Sequence, residues 1–178
     1  DIMFSTFIGG SGEDYSTRMY VDNNSNIYLS GRTTSANFPT SLNAYNRTYD
    51  GTSYDGYLLK LTSSGDSISF STLLGGSDFD VITDFIIDNN EIYVRGVTHS
   101  IDFAILKAYS DNYHTNRDSF VAKFTENVVD LVFSSYIGGS QTDALQSFVL
   151  DDDNNLILTG YSASQDFPIT DNAYSTTK

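Results

Sequence analysis

Residues 4–10 read Phe-Ser-Thr-Phe-Ile-Gly-Gly, and close variants of that string return at 70–76 and 133–139, so one structural unit is repeated along the chain. The steps between copies are 66 and 63 residues. Inside each unit the same landmarks recur in the same order. Gly-Gly-Ser-x-x-Asp comes first, with Ser11 and Asp14, Ser77 and Asp80, then Ser140 and Asp143. An apolar run ending in Asp22, Asp88 or Asp151 leads to an Asn-rich turn and to a second run ending in Gly31, Gly96 or Gly160. A long polar connection then carries Phe38-Pro39, Phe103-Ala104 or Phe167-Pro168, followed by Ala44-Tyr45, Ala108-Tyr109 or Ala173-Tyr174. Two units close with residues 57–61 and 120–124, and the third has no counterpart of that element before Lys178.

The apolar segments are four to eight residues long, rich in Ile, Val, Tyr, Phe and Thr, and bounded by Gly, Asn, Asp and Ser. That pattern specifies strands rather than helices. Four are expected per complete unit: residues 17–21, 27–30, 57–61 and 68–74, then 84–87, 92–95, 120–124 and 131–137. Short Asx-rich turns join the first strand to the second and mark hairpins. The first strand is continuously apolar, as for a strand buried on both faces, whereas the fourth alternates, as near an outer edge. The expected fold is all-β, a β-propeller-type array of four-stranded antiparallel blades with about two and three-quarter blades present. Residues 1–15 would be the outer strand of a preceding blade and a crossover loop. Residues 16–76 and 77–139 would be blades 1 and 2, and 140–178 the inner hairpin and loop of an incomplete blade 3. A ring normally needs four to eight blades, so the remainder is expected from further blades of a longer chain or from other subunits.

Composition narrows the partners. Nine basic residues against 23 acidic ones give a net charge of -14, the wrong field for nucleic acid. With no cysteine, disulfides, thiolate metal sites and Cys nucleophiles are excluded. No apolar run approaches the length of a membrane-spanning helix, and no membrane insertion is expected.

The landmarks Phe-Ser-Thr-x-x-Gly-Gly-Ser-x-x-Asp, Val21-Asp22-Asn23-Asn24-Ser25-Asn26-Ile27, Asn37-Phe38-Pro39-Thr40, Ala-Tyr and Asp118-Ser119-Phe120-Val121-Ala122-Lys123-Phe124 together resemble the SBBP β-propeller repeat of bacterial and archaeal secreted and surface proteins. The resemblance implies a propeller blade in an extracellular or cell-surface protein and no shared catalytic activity. This chain departs from the pattern at Ala104, where the other copies have Pro, and in a turn after Asp88 that is one residue shorter.

Three sets of residues are candidates for chemistry. Asp22, Asn24 and Asn26, echoed by Asp151, Asp153 and Asn155, alternate oxygen side chains in a tight turn, as in a loop that rings Ca²⁺. They lack the Gly and bidentate Glu of an EF-type loop, and a hairpin turn explains them equally. Tyr49, Tyr54, His114 and Arg117 are non-repeated residues of the long connections, which are expected on the same face as the Gly-Gly-Ser loops, and they are the candidates for a sugar or protein contact. Gly-Gly-Ser-x-x-Asp lacks the Lys-Ser/Thr and the following helix of a phosphate cradle, so Asp14, Asp80 and Asp143 are expected to bond loop backbone. No G-x-S-x-G or H-E-x-x-H pattern is present, and no enzyme is expected. The expected role is a non-catalytic extracellular structural or adhesion module of a larger surface, filament or sheath protein. Its partners would be other subunits or blades and possible surface glycans. The alternative is a lectin-like propeller using the aromatic loops.

Overall fold

A computed structural model of the chain describes residues 2–50, 52–114 and 117–177. Ten strands follow one another with no helix among the described residues: β1 (Asp14–Val21), β2 (Ile27–Thr33), β3 (Asp55–Leu61), β4 (Ile68–Leu74), β5 (Asp80–Asp88), β6 (Glu91–Thr98), β7 (Asp118–Thr125), β8 (Leu131–Ile137), β9 (Asp143–Leu150) and β10 (Leu156–Ser162). They form two four-stranded antiparallel meanders, ordered β1-β2-β3-β4 and β5-β6-β7-β8, and a two-stranded sheet of β9 and β10. The architecture is all-β and matches two blades and the inner hairpin of a third.

The first three strands of each meander start or end closer to the Gly-Gly-Ser loop than their apolar runs suggest, because Asp14, Asp80 and Asp143 themselves open the inner strands. A bulge lets the ladder continue past them. The register of inner strand against second strand shifts between Ser16 and Arg18, between Ile82 and Asp84, and between Thr159 and Gly160, which places Thr17, Thr83 and Gln146 as the extra residues. Opposite each bulge stands the glycine that ends the second run. A methyl group on Gly31, Gly96 or Gly160 would lie 1.9, 2.0 or 2.1 Å from the carbonyl oxygen of Tyr15, Val81 or Ala144. Only glycine permits that approach.

The main core lies between the first two blades. Tyr28, Leu58, Phe70 and Leu74 of blade 1 pack with Ile82, Phe85, Ile92, Val94 and Phe120 of blade 2, and the Tyr28 ring meets Phe70 edge-on at 5.9 Å. A smaller cluster, Phe38, Tyr57, Leu59, Leu61 and Leu73, covers the other face of blade 1 and receives Ile8 from the N-terminal segment. The expectation of a doubly buried inner strand holds only partly. Phe85 of β5 is buried, but Met19, Tyr20 and Val21 of β1 are 63%, 44% and 50% exposed, because among the described residues blade 1 has a neighbouring blade on one side only. Residues 4–8, expected as the outer strand of a preceding blade, lie outside the sheets, with Phe7 fully exposed.

Polar contacts also tie blade to blade along the inner strands. The Thr17 hydroxyl donates to Ile82 O at 2.5 Å, and Arg18 pairs with Asp84 at 3.2 Å. Arg95 donates to Leu145 O at 2.8 Å and Gln146 O at 2.6 Å while its Nη2 stands 3.4 Å from Asp84.

Candidate functional site

The Gly-Gly-Ser loops are built identically three times. Gly10, Gly76 and Gly139 donate their N–H to Asp14, Asp80 and Asp143 Oδ2 at 2.8, 2.8 and 2.6 Å, as the spacing predicts. The next N–H groups have partners as well. Ser11, Ser77 and Ser140 donate from N and Oγ to Asn37, Asp102 and Asp166 Oδ1 at 2.8 and 2.9 Å. Gly12, Asp78 and Gln141 donate to the buried hydroxyls of Ser35, Ser100 and Ser164, each at 2.8 Å. With its amides engaged inside the protein, this loop cannot cradle a phosphate. The Ser-x-Asx-Phe pattern at Ser35, Ser100 and Ser164 was visible in the sequence and was not singled out there.

The paired glycines serve close approach rather than a left-handed turn. A methyl group on Gly76 would lie 2.6 Å from Asp102 Oδ1. One on Gly75 would lie 2.8 Å from Asp55 Oδ1 and 2.9 Å from Asp80 Oδ2. At the next junction the corresponding point beside Gly138 is 3.4 Å from Asp118 Oδ1 and 3.0 Å from Asp143 Oδ2. Each junction between blades therefore brings together two aspartates, one opening the third strand of a blade and one opening the first strand of the next. Asp55, Asp80, Asp118 and Asp143 are all buried, at 2%, 0%, 1% and 1% exposure, and the Oδ1 of each lacks a hydrogen bond. Burial first, then the neighbouring Asp50 and Asp80 charges, push the Asp55 carboxyl up to about 8. Burial also raises Asp80, to about 6, against hydrogen bonds from Thr98, Gly76 and Ser100. Asp118 is raised by burial despite the backbone N–H of His114, which donates to its Oδ2 at 2.7 Å. Asp143 is held below the usual carboxylate range, since hydrogen bonds from Gly139, Ser162 and Ser164 outweigh its burial. The Thr98 and Ser162 hydroxyls assist Asp80 and Asp143 without completing a hydrogen bond of normal geometry to Oδ1.

The turn residues are differently placed. Asp22 Oδ1 accepts the N–H of Asn24 and Asn26 at 2.9 and 2.8 Å, and Oδ2 accepts the Asn26 side chain at 2.9 Å. Lys60 stands 3.8 Å from the same Oδ2. Asp151 repeats the arrangement with Asp153 N and Asn155 N at 3.0 and 2.8 Å, and with the Asn155 amide at 2.9 Å. These oxygens fold the turn, helped by Ser25 and Asn154 at φ 63° and 62°. Among the described residues no group of three or more His, Asp or Glu side chains converges as a metal site.

The four candidate binding residues fall in corresponding loops of two blades. Tyr49 packs against the Phe38 and Tyr57 cluster, and its hydroxyl donates to Ser53 O. Tyr54 belongs to an exposed-edge cluster in which the Arg32 guanidinium lies 4.9, 4.8 and 5.4 Å from the rings of Tyr15, Tyr54 and Phe79. The Tyr54 hydroxyl donates to Glu13, which pushes it up to about 12. His114 is half-buried against Asp118, and Arg117 is exposed. The other histidine, His99, packs on Phe79 at 5.2 Å.

The long connections do start beside the Gly-Gly-Ser loops, but they then cross to the outer strands. Ser41 N donates to Ser71 O at 2.9 Å, and Leu73 N to Asn46 O at 3.0 Å. In blade 2, Leu106 and Ser134 exchange bonds at 3.2 and 2.8 Å, and Tyr136 N donates to Ser110 O at 3.2 Å. The connection thus covers the edge that each outer strand would otherwise expose. Beyond it, the repeated tyrosine reaches the next blade: Tyr45 N donates to Val128 O at 2.9 Å, and its ring meets Phe124 edge-on at 5.6 Å. Tyr109, its counterpart, is 69% exposed. It borders a cleft of about 550 Å³ with Ile137, Leu145, Leu158, Gly160 and Phe167, along the edge of β10 that carries no third strand among the described residues.

Antiparallel four-stranded blades tied through Gly-Gly-Ser loops define a β-propeller-type repeat array. Residues 4–39 match the family model described as the SBBP beta-propeller repeat, and the landmarks of that segment recur in the two later copies. No curated protein matches the chain.

Proposed function

We propose that this chain is a non-catalytic structural or adhesion module of an extracellular protein, part of a cell-surface, filament or sheath assembly, and that it works through its blade faces. The observation that carries the reading is the pair of apolar ends. Blade 1 presents Met19 and Val21 to solvent, and the β9–β10 hairpin presents Val149, Ile157 and Tyr161, each at least half exposed. Surfaces of this kind are covered by another blade, from the same polypeptide or a neighbour. The extracellular placement rests only on the resemblance of the repeat, which residues 4–39 carry as a match to the SBBP beta-propeller repeat.

The Arg32 cluster favours a second reading, in which Tyr15 and Tyr54 stack on a sugar ring, since Tyr15 is 46% exposed. The two readings separate by sedimentation and a glycan array. The structural reading expects concentration-dependent association that weakens in Val21→Lys and Tyr161→Lys, with no glycan bound. A monomer that binds a glycan and loses it in Tyr54→Ala would establish the second reading instead.

A further inference from the structure

We propose that each blade junction binds one hard divalent cation of the Ca²⁺ kind, held between the aspartate that opens a third strand and the loop aspartate of the next blade: Asp55 with Asp80, and Asp118 with Asp143. This goes beyond the assembly role and stands on separate observations.

The first is geometric. At both junctions the Oδ1 of the third-strand aspartate, Asp55 or Asp118, and the Oδ2 of the loop aspartate, Asp80 or Asp143, approach one point beside a glycine, Gly75 or Gly138, where a side chain would collide with them or crowd them. The second is the state of their oxygens. Asp55 Oδ1 and Asp118 Oδ1 are buried without a hydrogen bond, and so are Asp80 Oδ1 and Asp143 Oδ1. A buried carboxylate oxygen left without a partner is costly, and two facing carboxylates cost more because their charges repel. The same arrangement occurs twice in one molecule.

The unpaired junction supplies the contrast. Asp14 heads blade 1, where no third-strand aspartate faces it among the described residues, and both its oxygens are engaged: Oδ1 by the Thr33 hydroxyl at 2.5 Å, Oδ2 by Gly10 N at 2.8 Å and Ser35 Oγ at 3.0 Å. The carboxylate oxygens buried without a hydrogen bond are thus those of the four aspartates where two blades meet, although the Thr98 and Ser162 hydroxyls assist Asp80 and Asp143.

The donor set selects the ion. It is all oxygen with no cysteine, which disfavours soft metals. Two carboxylates match a 2+ charge and supply part of the six to eight oxygens Ca²⁺ takes, and loop carbonyls and water complete an irregular shell more readily than the octahedron Mg²⁺ requires. The turns at Asp22 and Asp151, which the spacing of acidic residues suggested, have their oxygens committed to backbone.

Calcium titration of the metal-stripped chain by calorimetry tests this, with terbium luminescence as a second probe. Two equivalents are expected. Asp118→Asn, a near-isosteric change that leaves the first junction intact, should lower the count to one, and the remaining equivalent reports that the variant is folded. Asp22→Asn should leave two. Absence of binding at millimolar Ca²⁺ would overturn the proposal. So would a count that falls in Asp22→Asn and not in Asp118→Asn, or stability at pH 8 that responds to acid but not to Ca²⁺, which would assign the junctions a shared proton.

Discussion

Asp55 illustrates how a residue's chemistry follows from its position in the fold. In an unfolded chain its carboxyl would titrate near 3.8, whereas in the folded protein it is raised to about 8 by burial and by Asp50 and Asp80. The folded state thus holds a proton that the unfolded state releases, so this group's stabilisation is complete below about pH 4 and is lost as pH rises towards 8. Asp80, raised to about 6, acts in the same direction over a narrower range. In chelator, the urea midpoint should be higher at pH 5.5 than at pH 8, and Asp55→Asn should flatten that dependence. An unchanged slope in the variant would mean that Asp55 is not the group responsible. The sequence showed Asp118 only as the first letter of a strand motif and Asp55 only as the end of a long connection. Their partners lie in the next repeat, and nothing in local spacing announces a contact across a blade junction.

At the scale of elements, most strands were legible because apolar runs bounded by Gly and Asx have few other ways to fold. The outer strands Ile68–Leu74 and Leu131–Ile137 fall where the pattern places them. The inner and second strands were read short at the bulge, since Thr17 and Thr83 break the alternation that marks a ladder. What the sequence did not show is where the long connections run: the polarity that marks them as loops comes in part from serines and asparagines whose backbone pairs with an outer strand. The tyrosines give a direct test of this arrangement. Tyr45 contacts Phe124 and Val128 of the next blade, whereas Tyr109 has no such neighbour. Tyr45→Ala should therefore cost about 2–4 kcal/mol, in the range for truncating a packed aromatic ring, and Tyr109→Ala less than about 0.5 kcal/mol, as at a surface position. Chemical denaturation of the two variants measures both. Equal losses would refute the clasp.

For the whole molecule, the two complete blades specify what the third accepts. Gly31 faces Tyr57 and Gly96 faces Phe120 across the second and third strands, and those rings stack on Phe38 and Phe103 at 4.6 and 4.4 Å. Gly160 and Phe167 line the cleft at β10 in the same relation. A labelled peptide with the sequence of Asp118–Thr125 should bind there, its aspartate opposite Ser162 and its aromatic ring over Gly160. Replacing that phenylalanine by alanine should weaken binding at least about tenfold, the equivalent of roughly 1.4 kcal/mol. Anisotropy that does not distinguish the two peptides would exclude this register. The clasp of Tyr45 on the second blade has a further consequence in time. During synthesis, residues 41–46 can pair with β4 as soon as it emerges, but the hairpin that carries Val128 comes much later, so blade 1 leaves the ribosome with Tyr45 uncovered. The clasp of each blade would then be completed by its successor, and a pause in translation between repeats would leave the tyrosine of the most recently made blade exposed.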